Sequence, residues 1–359
     1  MTLSIITINY NNAEGLRKTL ASVAAQTYAK IQHVIVDGNS SDTSKDIIID
    51  YAENTKKHNH EILWISEPDK GIYNAMNKGI EIALGRRVVN SFNRSELVED
   101  KSKGIEIALG RREVREDHTS LPIANGQWPI AQTDYIQILN AGDILAVPDV
   151  TERMMNALLE VKGYRLEVKG SENGKADTPA STPYTLHSTP TEASRLENCP
   201  AIFYGNMTKV NAAGQIVGKS GYTEYSLRQF YSSTLNHDCA YIRADLFEEY
   251  GLYDEQLKIV SDWKWYLQAI GLGRVKPVYV DIDVTIFDDG GISETNLELR
   301  NKERRQVQEE LLPPAVLWDY DQHAFEVEQV NRLRRWHLYP LVYFMERVLF
   351  KLEKWGILG

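Results

Sequence analysis

Short apolar runs that stop abruptly at polar loops alternate with helical periodicity along the first part of the chain. Leu3–Ile8 gives way to Asn9-Tyr-Asn-Asn12, and His33–Val36 to Asp37-Gly-Asn-Ser-Ser-Asp42. Ile62–Ile65 gives way to Ser66-Glu-Pro-Asp69, and Tyr135–Leu139 to Asn140-Ala-Gly-Asp143. Runs of this length, rich in β-branched residues and bounded by turn formers, read as strands. Between them Leu16, Leu20, Val23 and Ala24 share one helical face, and Ile72, Ala75, Met76, Gly79, Ile80 and Ala83 share another. Asn12 is placed to cap the first helix, and Ser41 or Asp42 the helix after strand two. Strands alternating with helices predict an α/β fold around a mostly parallel sheet. Ligands of such sheets bind beyond the carboxyl ends of the strands.

Further on, Val150–Val161 reads as a helix, Ala201–Tyr204 as a strand and Arg243–Tyr250 as a helix ended by Gly251. Asp262–Ile270 reads as a helix, Pro277–Ile282 as a strand, and Asp288-Asp-Gly-Gly-Ile-Ser293 as a loop. Residues 170–198 are rich in Ser, Thr, Pro, Gly and Glu, which predicts a mobile linker. Lys78–Arg87 recurs letter for letter as Lys103–Arg112. Two short copies are no solenoid, so residues 86–133 read as an insertion carrying a duplicated helix end. From Glu294 the pattern is helical and charged. Three parts are expected: 1–145, 146–293 and a helical extension over 294–359.

Composition narrows the class. The 359 residues are 43% hydrophobic and 25% charged, enough for a sizeable core. A net charge of −10 argues against a nucleic-acid partner, whose footprint is a basic face. Cys199 and Cys239 are the only cysteines, too few for a disulfide framework, which points to a reducing compartment. Met1–Tyr10 lacks the basic start and cleavage site of a signal peptide. No stretch approaches the roughly 20 apolar residues of a membrane span. A cytoplasmic protein is expected, with contact to the inner face of the membrane left open.

Candidate chemistry sits where the apolar runs end. Asp37, Asp69 and Asp143 follow strands, and Asp262 follows Leu257–Val260 within Ser261-Asp262-Trp263. Carboxylates gathered at one sheet edge, with glycines beside them, suit a nucleotide-phosphate and metal site. Each also has a plainer use, since aspartate is an ordinary turn and N-cap residue.

Taken in order, Thr7-Ile-Asn-Tyr-Asn-Asn12, Val36-Asp-Gly-Asn-Ser-Ser-Asp42, Glu67-Pro-Asp-Lys-Gly-Ile-Tyr-Asn-Ala-Met-Asn-Lys-Gly79, Leu139-Asn-Ala-Gly-Asp143 and Ser261-Asp-Trp263 resemble the family 2 inverting glycosyltransferases of GT-A fold. The bacterial enzymes that build colanic acid, capsule or O-antigen repeat units are the nearest in pattern. The resemblance covers most of residues 1–85 and 134–293. It implies a nucleotide-sugar-binding sheet over 1–145, an acceptor-binding part with the catalytic base over 146–293, and helices after that. The donor it implies is a nucleoside-diphosphate sugar, a UDP-sugar by family habit. The acceptor is a hydroxyl of a glycan or lipid-linked chain in cell-surface polysaccharide synthesis.

By the same resemblance, Asp37 contacts the base, Asp143 ligates Mn2+ or Mg2+, and Asp262 is the catalytic base. Thr7, Asn9, Asp69, Asn77 and Asn140 line the donor site, with a helix cap as the alternative for Asp69. The chain departs from the family at Asn140 and Ser261, where acids often stand. Two rivals follow: a non-catalytic nucleotide- or carbohydrate-binding protein on this fold, and a sugar-nucleotidyltransferase. The second wants a glycine-rich basic phosphate loop after strand one, which Asn9-Tyr-Asn-Asn-Ala-Glu-Gly15 does not supply. In the tail, Arg332, Arg334, Arg335, Arg347, Lys351 and Lys354 are interleaved with Trp336, Tyr339, Phe344, Phe350 and Trp355. That mixture suits a helix over 331–359 lying on an anionic membrane, packed on the catalytic body, or packed on a second subunit of a homo-oligomer.

Overall fold

The computed structural model describes residues 1–53, 60–87, 90–91, 133–161, 199–211, 213–288 and 296–355. Strand β1 (Leu3–Asn9) is buried throughout, with β2 (Ile31–Asp37) and β5 (Tyr135–Asn140) parallel to it on either side. Continuous apolar runs are what strands covered on both faces require. Ile6, Ile8, Val34 and Val36 pack beneath α3 (Ile72–Ala83). On the other face α1 (Ala13–Ala24) and α2 (Ser44–Glu53) cover Ile35 and Ile62. β3 (Glu61–Ser66) continues the parallel order, and β4 (Asn90–Ser91) closes that edge antiparallel.

The other half of the sheet is mixed. β9 (Ala240–Arg243) pairs antiparallel with both β5 and β7 (Ile202–Val210). β10 (Pro277–Asp288) runs parallel to β7 and antiparallel to β6 (Ile144–Leu145), while β8 (Ile216–Ser220) pairs with β7. The order is β4-β3-β2-β1-β5-β9-β7-β10-β6. The expected α/β architecture is present, and one sheet runs through the boundary expected at residue 145, because β9 hydrogen-bonds to β5. Around it lie α4 (Val150–Val161), α5 (Leu227–Ser232), α6 (Leu246–Glu249) and α7 (Ser261–Tyr266), which runs on as a π-helical turn over Leu267–Leu272. Then come α8 (Leu297–Leu311), α9 (Pro314–Arg335) and α10 (Tyr339–Lys354).

Two elements differ from expectation. The helix expected over Arg243–Tyr250 is cut to Leu246–Glu249, because Arg243 belongs to β9. β10 continues six residues beyond Ile282, paired with β7 on one side and β6 on the other. The first copy of the duplicated segment is the end of α3 and its turn. The second copy, nearly all of the 86–133 insertion, the 170–198 linker and the loop beyond Asp288 lie outside the described residues.

Contact between α3 and the sheet depends on a missing side chain. A Cβ on Gly79 would stand 2.3 Å from Ile6 Cγ2, in the middle of β1. Gly79→Ala should therefore destabilise the protein although alanine is the better helix former. The helix gains about 1 kcal/mol, whereas overpacking a core costs roughly 1–3 kcal/mol. A net loss of about 1–2 kcal/mol in urea-induced unfolding is the expected result.

Candidate active site

The carboxyl ends of β1, β2 and β5 finish at one level, with Asn9 opposite Asp37 and Ile8 opposite Asn140. From β5 the chain turns through Asn140-Ala-Gly-Asp143, where Gly142 has φ of 121°, a backbone state open to glycine and strained for other residues. Asp143 folds back so that its Oδ2 accepts from the Asn140 backbone N–H at 3.0 Å. Helix α1 secures this loop from outside. Thr19 Oγ1 donates to the Asp143 carbonyl at 2.7 Å and accepts from Gly142 N–H at 2.9 Å, and Asn12 Nδ2 donates to the Ala141 carbonyl at 2.7 Å.

Asp262 comes from the opposite half, in the first turn of α7. The preceding segment is stapled by the buried carboxylate of Glu303 on α8, which accepts from Lys258 N–H at 2.8 Å and Ile259 N–H at 2.9 Å. Tyr73 Oη on α3 donates to Asp262 Oδ1 at 2.8 Å, and His237 Nδ1 lies 3.4 Å from Oδ2. Asp143, His237 and Asp262 line one cavity of about 650 Å³. A second of about 700 Å³ holds Asn9, Tyr10, Asp69 and Lys70 in its wall. The two share Asn12, Ile72, Tyr73, Asn140, Ala141 and Lys258, so they form one divided cleft. Its size is that of a nucleotide-class ligand site.

The expected residues divide accordingly. Asp143, Asp262 and Asn140 reach the first cavity, and Asn9 and Asp69 the second. Asp69 is not the N-cap of α3. Gly71 holds that position, and Asp69 Oδ1 accepts from Gly71 N–H at 2.9 Å. Three residues do not reach the cleft. Asp37 is 0% exposed, its carboxylate filled by Asn9 Nδ2, Ser40 Oγ, Ser40 N–H and Ser66 Oγ, so a base contact would have to displace one of these. Thr7 is in the core, its hydroxyl paired with His33 at 2.9 Å. Asn77 bonds the backbone of Tyr253 in both directions and donates to Glu255 as well.

Three lining residues escape sequence reasoning, and a fourth, His237, reads from sequence as an acceptor or phosphate contact or, more simply, a structural histidine before a short strand. Tyr73 sits four residues before Asn77, and a polar pair at that spacing on an apolar helix is the signal for a second buried face. Tyr10, 66% exposed at the mouth, offers an aromatic face. Lys258 carries no distinguishing pattern.

Residues 4–91 match the family model of glycosyl transferase family 2. That stretch is therefore similar to a family 2 glycosyltransferase domain. An uncharacterized glycosyltransferase of Mycobacterium tuberculosis is 41% identical to it over 85 residues, which are 23% of this chain and 30% of that protein. A PGL/p-HBAD biosynthesis glycosyltransferase of Mycobacterium bovis is 37% identical over 82 residues, 23% of this chain and 31% of its own length. The chain thus spans under a third of the curated relatives it matches. Among solved structures, S. aureus TarS in complex with UDP-GlcNAc aligns over 82% of this chain and 61% of that one, at 13% identity and a TM-score of 0.48. That likeness is too loose to transfer a ligand.

The matched segment contains β1–β3 and α3, and therefore Tyr73. Asp143, His237 and Asp262 stand beyond it and are electrostatically linked. Burial, and then the neighbouring Asp238 carboxylate, push Asp143 up to about 7 against the pull of His237. Burial would also raise Asp262, but the bond and charge of His237 and the Tyr73 hydroxyl outweigh it and hold the carboxyl low. Burial disfavours a charged His237, yet Asp262, then Asp238 and Asp143, raise it to about 9.

A histidine raised above its unfolded value near 6.5 stabilises the fold in full below that pH and stops doing so as pH rises through about 9. The ligand-free protein should lose melting temperature between about pH 7 and 9.5. His237→Asn, which cannot titrate, should show a flatter profile in thermal denaturation across that window.

Proposed function

We propose that this protein is an inverting glycosyltransferase that moves a sugar from a nucleoside-diphosphate donor to a hydroxyl acceptor. The observation that carries the reading is that Asp143 and Asp262, over a hundred residues apart in sequence, face one cavity that opens into a second, aromatic-edged one. The second cavity suits the nucleoside: Tyr10 presents a ring for stacking, and Asn9 and Asp69 present polar atoms. Asn9 Oδ1 is buried and has no hydrogen-bond partner among the described residues, so it is free to accept from a base or ribose. Lys258, common to both cavities, stands where a diphosphate would bridge them.

Asp262 is the group for the proton. The acceptor oxygen attacks the anomeric carbon in line, its proton passes to the Asp262 carboxylate, and the bond from that carbon to the phosphate oxygen breaks. One base and one displacement give inversion. Among the described residues no three His, Cys, Asp or Glu side chains form a metal cage. Asp143 nevertheless fits Mn2+ or Mg2+, which in nucleotide sites take one or two carboxylates and complete their shell with phosphate oxygens. Its carboxylate is hard, buried and crowded by Asp238, so it gains from a cation. Bound there, the metal would neutralise charge on the diphosphate.

The acceptor we favour is carried on lipid. None of the described helices is long and apolar enough to cross a membrane. Helix α10, however, has no buried residue, and Phe344, Leu349, Phe350 and Trp355 are all exposed. Over 331–359, six Lys and Arg stand against two Glu, in a chain whose net charge is −10. Such a segment is drawn to an anionic lipid surface.

Asp262→Asn should cut transfer by about a thousandfold while nucleoside-diphosphate affinity stays near wild type, because the base acts in the transition state. Asp143→Ala should weaken Mn2+-dependent nucleotide binding in calorimetry. Equal transfer rates for wild type and Asp262→Asn would rule the mechanism out, and binding without any turnover of sugar nucleotides would favour the non-catalytic reading. The tail is tested separately: the protein should sediment with phosphatidylglycerol vesicles and not with phosphatidylcholine ones. Arg347→Glu with Lys351→Glu should abolish that, and a salt-independent dimer in ultracentrifugation would argue for a protein partner instead.

A further inference from the structure

We propose that Tyr73 and His237 are positioning residues that clamp the Asp262 carboxylate, one at each oxygen, and that Asn140 ties this clamp to the loop bearing Asp143. The inference rests on the reading of Asp262 as the base and adds what holds it.

The clamp comes from three parts of the chain. Tyr73 on α3 donates to Oδ1 at 2.8 Å, and its ring is fixed against Tyr253, centroid to centroid 5.8 Å. His237, between α5 and β9, places Nδ1 3.4 Å from Oδ2. Asn140, the last residue of β5, has its amide Nδ2 3.3 Å from His237 Nε2, while its backbone N–H holds Asp143. An ionised carboxylate has about four lone-pair directions. The clamp takes one on each oxygen and the Trp263 backbone N–H also bonds the group, which fixes its plane and leaves room for a further bond from the cavity.

Asparagine suits position 140 because an amide serves either charge state of the ring. With neutral His237, Nδ1–H points to Asp262 and Nε2 accepts from Asn140 Nδ2. With the imidazolium, Nε2 becomes a donor, and the amide turned over presents Oδ1, an atom that is buried without a partner in its present orientation. In both states Nδ1–H stays directed at the Asp262 carboxylate, which accepts from it. Other groups also act on that carboxylate: Asp238 and Asp143 through His237, Tyr253 and Tyr266 beside it, and Arg304 from α8. Apart from the Trp263 backbone N–H, Tyr73 and His237 are the described side chains shown within contact distance of its oxygens.

The test uses the full chain and the sugar nucleotide that wild type turns over fastest, with donor hydrolysis as readout and nucleoside-diphosphate affinity as the check on folding. Tyr73→Phe and His237→Leu should each lower kcat about ten- to a hundredfold, the range for a lost hydrogen bond to a charged group. Nucleotide affinity should be unchanged. His237→Asn keeps a donor near the Nδ1 position and should retain kcat within about threefold. In His237→Leu the acid limb of the kcat–pH profile should move to higher pH, a change that loss of packing alone would not produce. Wild-type kcat and acid limb in both Tyr73→Phe and His237→Leu would overturn the clamp alone. So would a His237→Asn variant as slow as His237→Leu, because the ring itself would then be the proton acceptor. A wild type that binds nucleotide but turns over no sugar nucleotide would overturn the enzyme reading, and the clamp with it.

Discussion

Asn77 is buried on α3 and spends its side-chain amide on the backbone of Tyr253, accepting from its N–H and donating to its carbonyl, both at 2.9 Å. An amide side chain carries both an acceptor and a donor, so one residue pairs with the backbone in both directions. The rest of the site depends on this join. Helix α3 is seated on β1 through Gly79, so its place is set by the sheet, and Asn77 passes that position to the chain from Tyr253 onward. Tyr73, one turn earlier, then meets Asp262, and Glu303 fixes the same segment from α8. Losing one partner of a buried pair of this kind costs roughly 1–3 kcal/mol. The larger consequence would be an Asp262 carboxylate no longer in register with the loop that carries Asp143.

That register matters because the cavity concentrates charge in an already acidic chain. Asp143, Asp238 and Asp262 gather around His237, and an anionic ligand would add more of the same sign. Two devices offset the repulsion. Asp238 is held by Thr285 Oγ1 at 2.6 Å, away from solvent. His237 takes on positive charge in response to the acids around it. Lys258, and Lys18 in an exposed ion pair with Glu14, add cationic groups to the lining of the same cavity.

How much of this can be read from sequence depends on whether the signal is local. Apolar runs ending in polar loops located β1, β2, β3 and β5 to within a residue or two, because a strand buried on both faces leaves no room for polar interruption. Asp143 was legible for a similar reason, since a carboxylate at the end of a strand lies at the sheet edge. The run Leu257–Val260 forms no strand, and Asp262 in the first turn of α7 was singled out by the resemblance rather than by a strand end. Asp37 shows the limit. Its sequence surroundings fit a turn open to ligand and a turn closed on itself equally well. Only the register that sets Asn9 beside it and Ser66 across from it shows that the carboxylate is filled. Tyr73 fails in the opposite sense: helical periodicity finds the face toward β1 but not the second face, whose partner lies about 190 residues away.

The two departures from the family pattern follow from the same accounting of charge. An aspartate at 140 would sit beside His237 and three residues from Asp143, adding a carboxylate to a pocket whose single described histidine already answers to three. An acid at 261 would be worse placed. Ser261 is 1% exposed, and its hydroxyl finds no partner among the described residues, so a carboxylate there would be buried with nothing to pair it. Asn140 and Ser261 are thus the neutral residues that a pocket with one titrating cation can accommodate.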